Sequence, residues 1–145
     1  MSKPETFGTA ETEPVVSPAR LLLAEDDFEL RELLASVLRA DGHEVVEACD
    51  GNELLALLRP ENAENFALVV SDVCMPGLTA FDVLTRLQRD LREVPVILIT
   101  AFGDQTTHLR ALRLGASRVF DKPFDYDELR HAVHETLHNQ TRRAS

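Results

Sequence analysis

Four stretches of this sequence carry side chains that could do chemistry together. Glu25, Asp26 and Asp27 stand in a row after Leu21-Leu22-Leu23-Ala24, and Asp72 precedes Val73-Cys74-Met75-Pro76-Gly77. Thr100 precedes Ala101-Phe102-Gly103, and Asp121-Lys122-Pro123-Phe124 completes the set. Each follows a short apolar run, so a fold that aligned those runs would gather carboxylates, a hydroxyl and an ammonium at one edge. Two carboxylates ~4 Å apart repel by about 4 kcal/mol at an effective dielectric near 20. Such a group keeps a proton or binds a cation. The donors are all oxygens, and no His or Cys has metal-site spacing nearby, so a hard ion such as Mg²⁺ is favoured. A lysine and a threonine hydroxyl converging on the same carboxylates make a clamp for phosphoryl oxygens. An aspartate among them could be the nucleophile that forms an acyl phosphate. Any one of these residues could equally be a polar residue closing a strand at the water boundary. Compatible groups after four of five strands are hard to explain that way.

The elements that must position them are visible as an alternation. Apolar runs at Arg20–Ala24, Glu44–Ala48, Leu68–Ser71, Val96–Thr100 and Arg118–Phe120 read as strands. Three are apolar almost throughout, the pattern of strands covered on both faces in a parallel sheet. Phe28–Ala40, Asn52–Arg59, Ala80–Leu91, Gln105–Leu114 and Tyr126–Asn139 read as helices. In the first, Leu30, Leu33, Leu34, Val37 and Leu38 recur at helical spacing. Gly42 and Gly115 stand where left-handed caps would end helices, and Pro123 with Asp125 opens the last one. The alternation predicts an α/β fold, a doubly wound five-stranded parallel sheet with five helices, whose function lies at the carboxyl ends of the strands.

Composition narrows the classes. The chain has 145 residues, 44% of them hydrophobic and 28% charged, enough to bury a core. A net charge of −10 disfavours a nucleic-acid or anionic-membrane surface. Two cysteines, Cys49 and Cys74, exclude a disulfide scaffold; they are expected to be inert small apolar residues in a reducing compartment. No apolar run approaches the ~20 residues of a membrane helix, and no signal peptide is visible, so a cytoplasmic location is expected. Residues 1–18, rich in Pro, acid and Thr, read as a disordered leader, 19–140 as the folded domain, and 141–145 as a flexible tail. His131, His134 and His138 fall opposite Leu129, Ala132 and Val133 on the last helix, hence on its solvent face.

LLLAEDD with Arg31, VVSDVCMPG, VPVILITAFGD and GASRVFDKPF agree in type, order and spacing with one family. Over residues 19–139 the chain resembles a response-regulator receiver domain of two-component signalling. The resemblance implies a flavodoxin-like sheet of strand order 2-1-3-4-5, with Asp72 as phospho-acceptor. Asp26 would bind Mg²⁺ directly, together with Asp72 and the Cys74 carbonyl, and Glu25 would do so through a water. Asp27 falls one position past the acidic pair, where it reads as a helix N-cap. Thr100 matches the switch hydroxyl, and Lys122 matches the lysine before a proline expected to be cis. The amides of Val73, Cys74 and Ala101 would cradle the phosphoryl group. Cys74 and Phe102 would line the path of the hydrolytic water.

The family usually places an aromatic residue where this chain has Val119, with Phe120 one position later, so Thr100, Val119 and Phe120 are the candidate switch residues. The implied partners are a histidine kinase or histidine phosphotransfer protein and a downstream protein target. No nucleic acid or membrane would be bound by this domain, which would be a monomer or a phosphorylation-dependent dimer. Phosphorylation would change the surface of the fourth helix, fifth strand and fifth helix.

The expected protein is a non-enzymatic signalling domain that promotes its own phosphotransfer and slow dephosphorylation. With TRRAS directly after the last helix, a stand-alone domain is the leading expectation. The receiver part of a longer NtrC-like transcription regulator is the alternative. A phosphatase of the haloacid-dehalogenase type would need an acid two residues after the nucleophile, where this chain has Cys74. A pseudo-receiver would lack the acceptor, acidic pair or lysine, and all are present.

Overall fold

The computed structural model describes residues 18–59, 61, 66–76, 78–89, 93–101 and 103–144. Residues 1–17 of the expected leader lie outside the described residues. Ten elements alternate in chain order: β1 (Arg20–Ala24), α1 (Phe28–Ala40), β2 (Glu44–Ala48), α2 (Gly51–Leu57), β3 (Leu68–Asp72), α3 (Ala80–Arg89), β4 (Val96–Thr100), α4 (Gln105–Arg113), β5 (Arg118–Asp121) and α5 (Tyr126–Ala144). The strands form one parallel sheet in the order β2-β1-β3-β4-β5. This is the 2-1-3-4-5 arrangement that the resemblance implies.

The near-continuous apolar runs take the middle of that sheet. Every residue of β3 and β4 is buried, whereas the edge strands β2 and β5 are only partly covered. Side chains alternate across the sheet into two apolar layers. Leu22, Val69, Val96 and Leu98 join Leu84, Leu87 and Ala111 on the α2–α3–α4 face. Leu21, Leu23, Ile97, Ile99 and Phe120 join Leu34, Leu38, Leu129 and Val133 on the α1–α5 face.

Helix ends follow the local chemistry. Asp27 accepts from the amides of Glu29 (3.0 Å) and Leu30 (3.2 Å), Asp50 from Glu53 (2.8 Å), and Asp104 from Thr107 (2.7 Å). Thr79 and Asp82 cap α3 reciprocally. Gly42 (φ 95°) and Gly115 (φ 101°) adopt the left-handed conformation that only glycine enters at little cost.

One expectation changes. The last helix runs on to Ala144, taking in most of the stretch read as a tail; 141–144 holds no Gly or Pro, so nothing local stops it. Both cysteines are exposed, because Cys49 follows β2 and Cys74 follows β3 rather than lying within a strand. His131 and His134 face solvent as expected, with His138 partly covered.

Candidate functional site

Register assembles the site. Ala24 pairs with Ser71, so Glu25 comes level with Asp72, while Thr100 pairs with Asp121 and Lys122 follows at once. The ends of three central strands and of β5 therefore meet at one edge. Glu25, Asp72 and Thr100 are 1%, 5% and 1% exposed, and they are, with Ser71, the polar side chains buried among the described residues. Asp26 is exposed beside them. Carboxylate oxygens of Glu25, Asp26 and Asp72 can all lie within 4.8 Å of one another.

Asp72 is held by both oxygens. The Lys122 ammonium donates to Oδ2 at 2.8 Å and the Cys74 amide donates to Oδ1 at 3.0 Å. The same ammonium stands 3.2 Å from Glu25 Oε1. That oxygen is buried with no hydrogen bond of good geometry, whereas Oε2 accepts from the Asp27 amide at 3.1 Å. Arg31 fastens the turn beneath by donating to the Glu25 carbonyl at 2.8 Å and to Glu47 Oε1 at 3.1 Å. The peptide bond between Lys122 and Pro123 is cis, as expected.

Two carboxylates thus face one ammonium, with the Asp26 carboxylate beside them. Burial pushes the Glu25 carboxyl up to about 7, with the Asp72 charge adding to it; the Asp27 amide and the Lys122 ammonium oppose the rise. Burial also works against the Lys122 charge, but the hydrogen bond and charges of Asp72 and Glu25 outweigh it and hold that ammonium above the usual lysine range. An all-oxygen set with surplus negative charge and one buried oxygen short of a hydrogen bond fits a hard divalent cation.

Other expected site residues divide. Cys74 offers its amide to the acceptor, and Ala101 follows Thr100 in an exposed position. The Val73 amide does not reach the cradle: it donates to the Ile99 carbonyl at 2.8 Å, continuing the β3–β4 ladder past the acceptor. Val119 packs against the α2–α3–α4 layer, the side on which strand alternation also places Thr100 and Asp121. Phe120 points to the opposite layer, 7% exposed with its ring 5.8 Å from that of Phe124, so the structure does not bring it to Thr100. Asp27 serves as the α1 cap. Phe102 lies outside the described residues.

Sequence reasoning missed His108 on α4, whose Nε2 lies 2.8 Å from Asp121 Oδ1. The period-2 pattern of β5 carried a signal, since it puts Asp121 on the face that α4 covers.

The comparisons agree with the fold. The chain is 37% identical over 114 residues to the transcriptional regulatory protein TcrA of Mycobacterium tuberculosis, covering 79% of this chain and 44% of that protein. It is 31% identical over 118 residues to sporulation initiation phosphotransferase F of Bacillus subtilis, covering 81% of this chain and 93% of that one. A solved CheY-like response regulator receiver domain protein from Methanospirillum hungatei superposes with a TM-score of 0.80 at 24% identity, covering 88% of this chain and 99% of that one, a likeness of fold. The chain spans about half the length of the first curated relatives it matches. The family described as the response regulator receiver domain matches residues 21–134, and the chain belongs to it.

Proposed function

We propose that Asp72 is the phospho-acceptor of this domain. The observation that carries the reading is the Asp72 carboxylate itself, 5% exposed and oriented by the Lys122 ammonium and the Cys74 amide beside two further carboxylates. An Asp72 oxygen attacks the phosphorus of a phosphohistidine on a kinase or phosphotransfer partner. The O–P bond forms as the P–N bond breaks, and the imidazole leaves. Mg²⁺ would be held by Asp26 and Asp72 with the Cys74 carbonyl, and by Glu25 through a water; when bound it neutralises charge on the phosphoryl oxygens.

Lys122 moves from the Asp72 carboxylate to a phosphoryl oxygen, so it both clamps the group and senses its charge. The Cys74 and Ala101 amides and the Thr100 hydroxyl complete the cradle. The domain is a signalling module and not an enzyme acting on other substrates. Its output, through α4, β5 and α5, would pass to a partner protein or to an attached domain. The half-length coverage of TcrA supports the second and the near-complete coverage of phosphotransferase F supports the first. Among the described residues no helix is long and apolar enough to cross a membrane.

The test is intact mass after incubation with a small acyl-phosphate donor and Mg²⁺. Wild type should gain one phosphoryl group, and Asp72→Asn, isosteric but not nucleophilic, should gain none. Phosphorylation of Asp72→Asn at the wild-type rate would refute the assignment.

A further inference from the structure

We propose that His108 and Asp121 form a latch that holds α4 in its resting position and is released when the site binds a phosphoryl group. The proposal rests on the phospho-acceptor reading of Asp72. Asp121 is the β5 partner of Thr100, and the amide of Lys122, the next residue, donates to the Thr100 carbonyl at 2.8 Å. The Asp121 side chain leaves the sheet on the α4 side and meets His108 Nε2 at 2.8 Å. An ionised carboxylate only accepts, so the imidazole carries its proton on Nε2.

The same carboxylate lies against the backbone of Gly103: a Cβ at that position would overlap it. Asp104, next in the chain, caps α4 through the Thr107 amide. One side chain of the strand that delivers Lys122 therefore lies against Gly103 and holds the body of α4 through His108. Recruiting the Thr100 hydroxyl and the Ala101 amide to a phosphoryl group on Asp72 displaces the segment after Thr100 toward the site. With the latch shut, α4 resists the displacement; with it broken, α4 follows and the exposed Leu109 and Leu112 move with it. Val119 and Phe120 are both seated in core layers, so among the described β5 side chains it is Asp121 that makes a polar contact with α4.

A contact made only in the resting state opposes the phosphoryl-bound state by its own free energy. An exposed pair of this kind contributes up to about 1 kcal/mol, which corresponds to roughly a threefold to fivefold change in an equilibrium constant. Beryllofluoride, a phosphoryl mimic, with Mg²⁺ is the probe, and the readouts are its affinity and the amide shifts of α4. Asp121→Ala and His108→Ala should each bind it about threefold tighter than wild type. Asp121→Asn, which keeps the acceptor oxygen, should stay near wild type.

Gly103→Ala should mimic Asp121→Ala while retaining both polar side chains, because its methyl displaces a half-exposed carboxylate. Added to Asp121→Ala, it should gain nothing further. Unchanged or weaker binding in Asp121→Ala and Gly103→Ala would overturn the latch. A wild type that binds no beryllofluoride would instead overturn the phospho-acceptor reading, and the latch's role with it.

Discussion

Two clusters in this molecule each set two or more carboxylates around one cation, and they behave in opposite ways. At the sheet edge, Glu25 and Asp72 are buried around Lys122. Between α1 and α5, Arg130 reaches Asp41 with two parallel hydrogen bonds of 3.0 and 2.7 Å and Asp127 with a third of 2.8 Å, all on the surface. The Arg130 guanidinium holds the Asp41 carboxyl below the usual range. Burial pushes Glu25 to about 7 despite an ammonium 3.2 Å away. Desolvation, not the number of charges, decides which cluster is relaxed and which is poised to accept a cation or a phosphoryl group.

The contrast is tested most strongly at its cation. Lys122→Met leaves two buried carboxylates without their ammonium and should cost about 3 kcal/mol of stability by urea unfolding in chelator. The loss should be larger at pH 8 than at pH 5.5. A carboxyl raised in the fold from 4.5 to about 7 binds more protons folded than unfolded, so its contribution falls as pH rises through that window. Removing Lys122 extends the fall to higher pH. Added Mg²⁺ should restore part of the loss, and a pH-independent deficit would contradict the account. Arg130→Ala should cost only about 0.5–1 kcal/mol, and 0.5 M salt should shrink that effect while leaving the Lys122 deficit largely intact.

Asp72→Asn should leave stability unchanged or raise it by up to roughly 0.5 kcal/mol, since it leaves one ammonium with fewer repelling carboxylates. A clear loss would mean that the Lys122 contact stabilises more than the repulsion costs. The smallest effect belongs to His43, which accepts from the Ala19 amide at 3.1 Å. Burial lowers its pKa below 6.5, with the His134 charge adding and Asp41 opposing. Its contribution is fully present above pH 6.5 and is lost as pH falls toward the folded value, so His43→Gln should flatten the stability profile just below neutrality.

Much of the site was legible because it is written in local chemistry. Asp27 caps α1 through amides two and three residues away, and Gly42 and Gly115 stop helices with their own backbone. Val73 was misread because its amide looks free in any local view. Only the β3–β4 register supplies the Ile99 carbonyl that takes it.

The sequence by itself determined the order of elements, the parallel sheet and the acidic, hydroxyl and ammonium residues at the strand ends. Periodicity, capping and residue type act over a few positions and need no partner. Tertiary structure decided which oxygen of Glu25 faces Lys122, that Phe120 packs away from Thr100, and that Asp121 meets His108. These depend on register between segments distant in the chain, and on which side of a sheet each helix returns. Those choices are set by burying the whole core at once, and no single stretch of sequence encodes them.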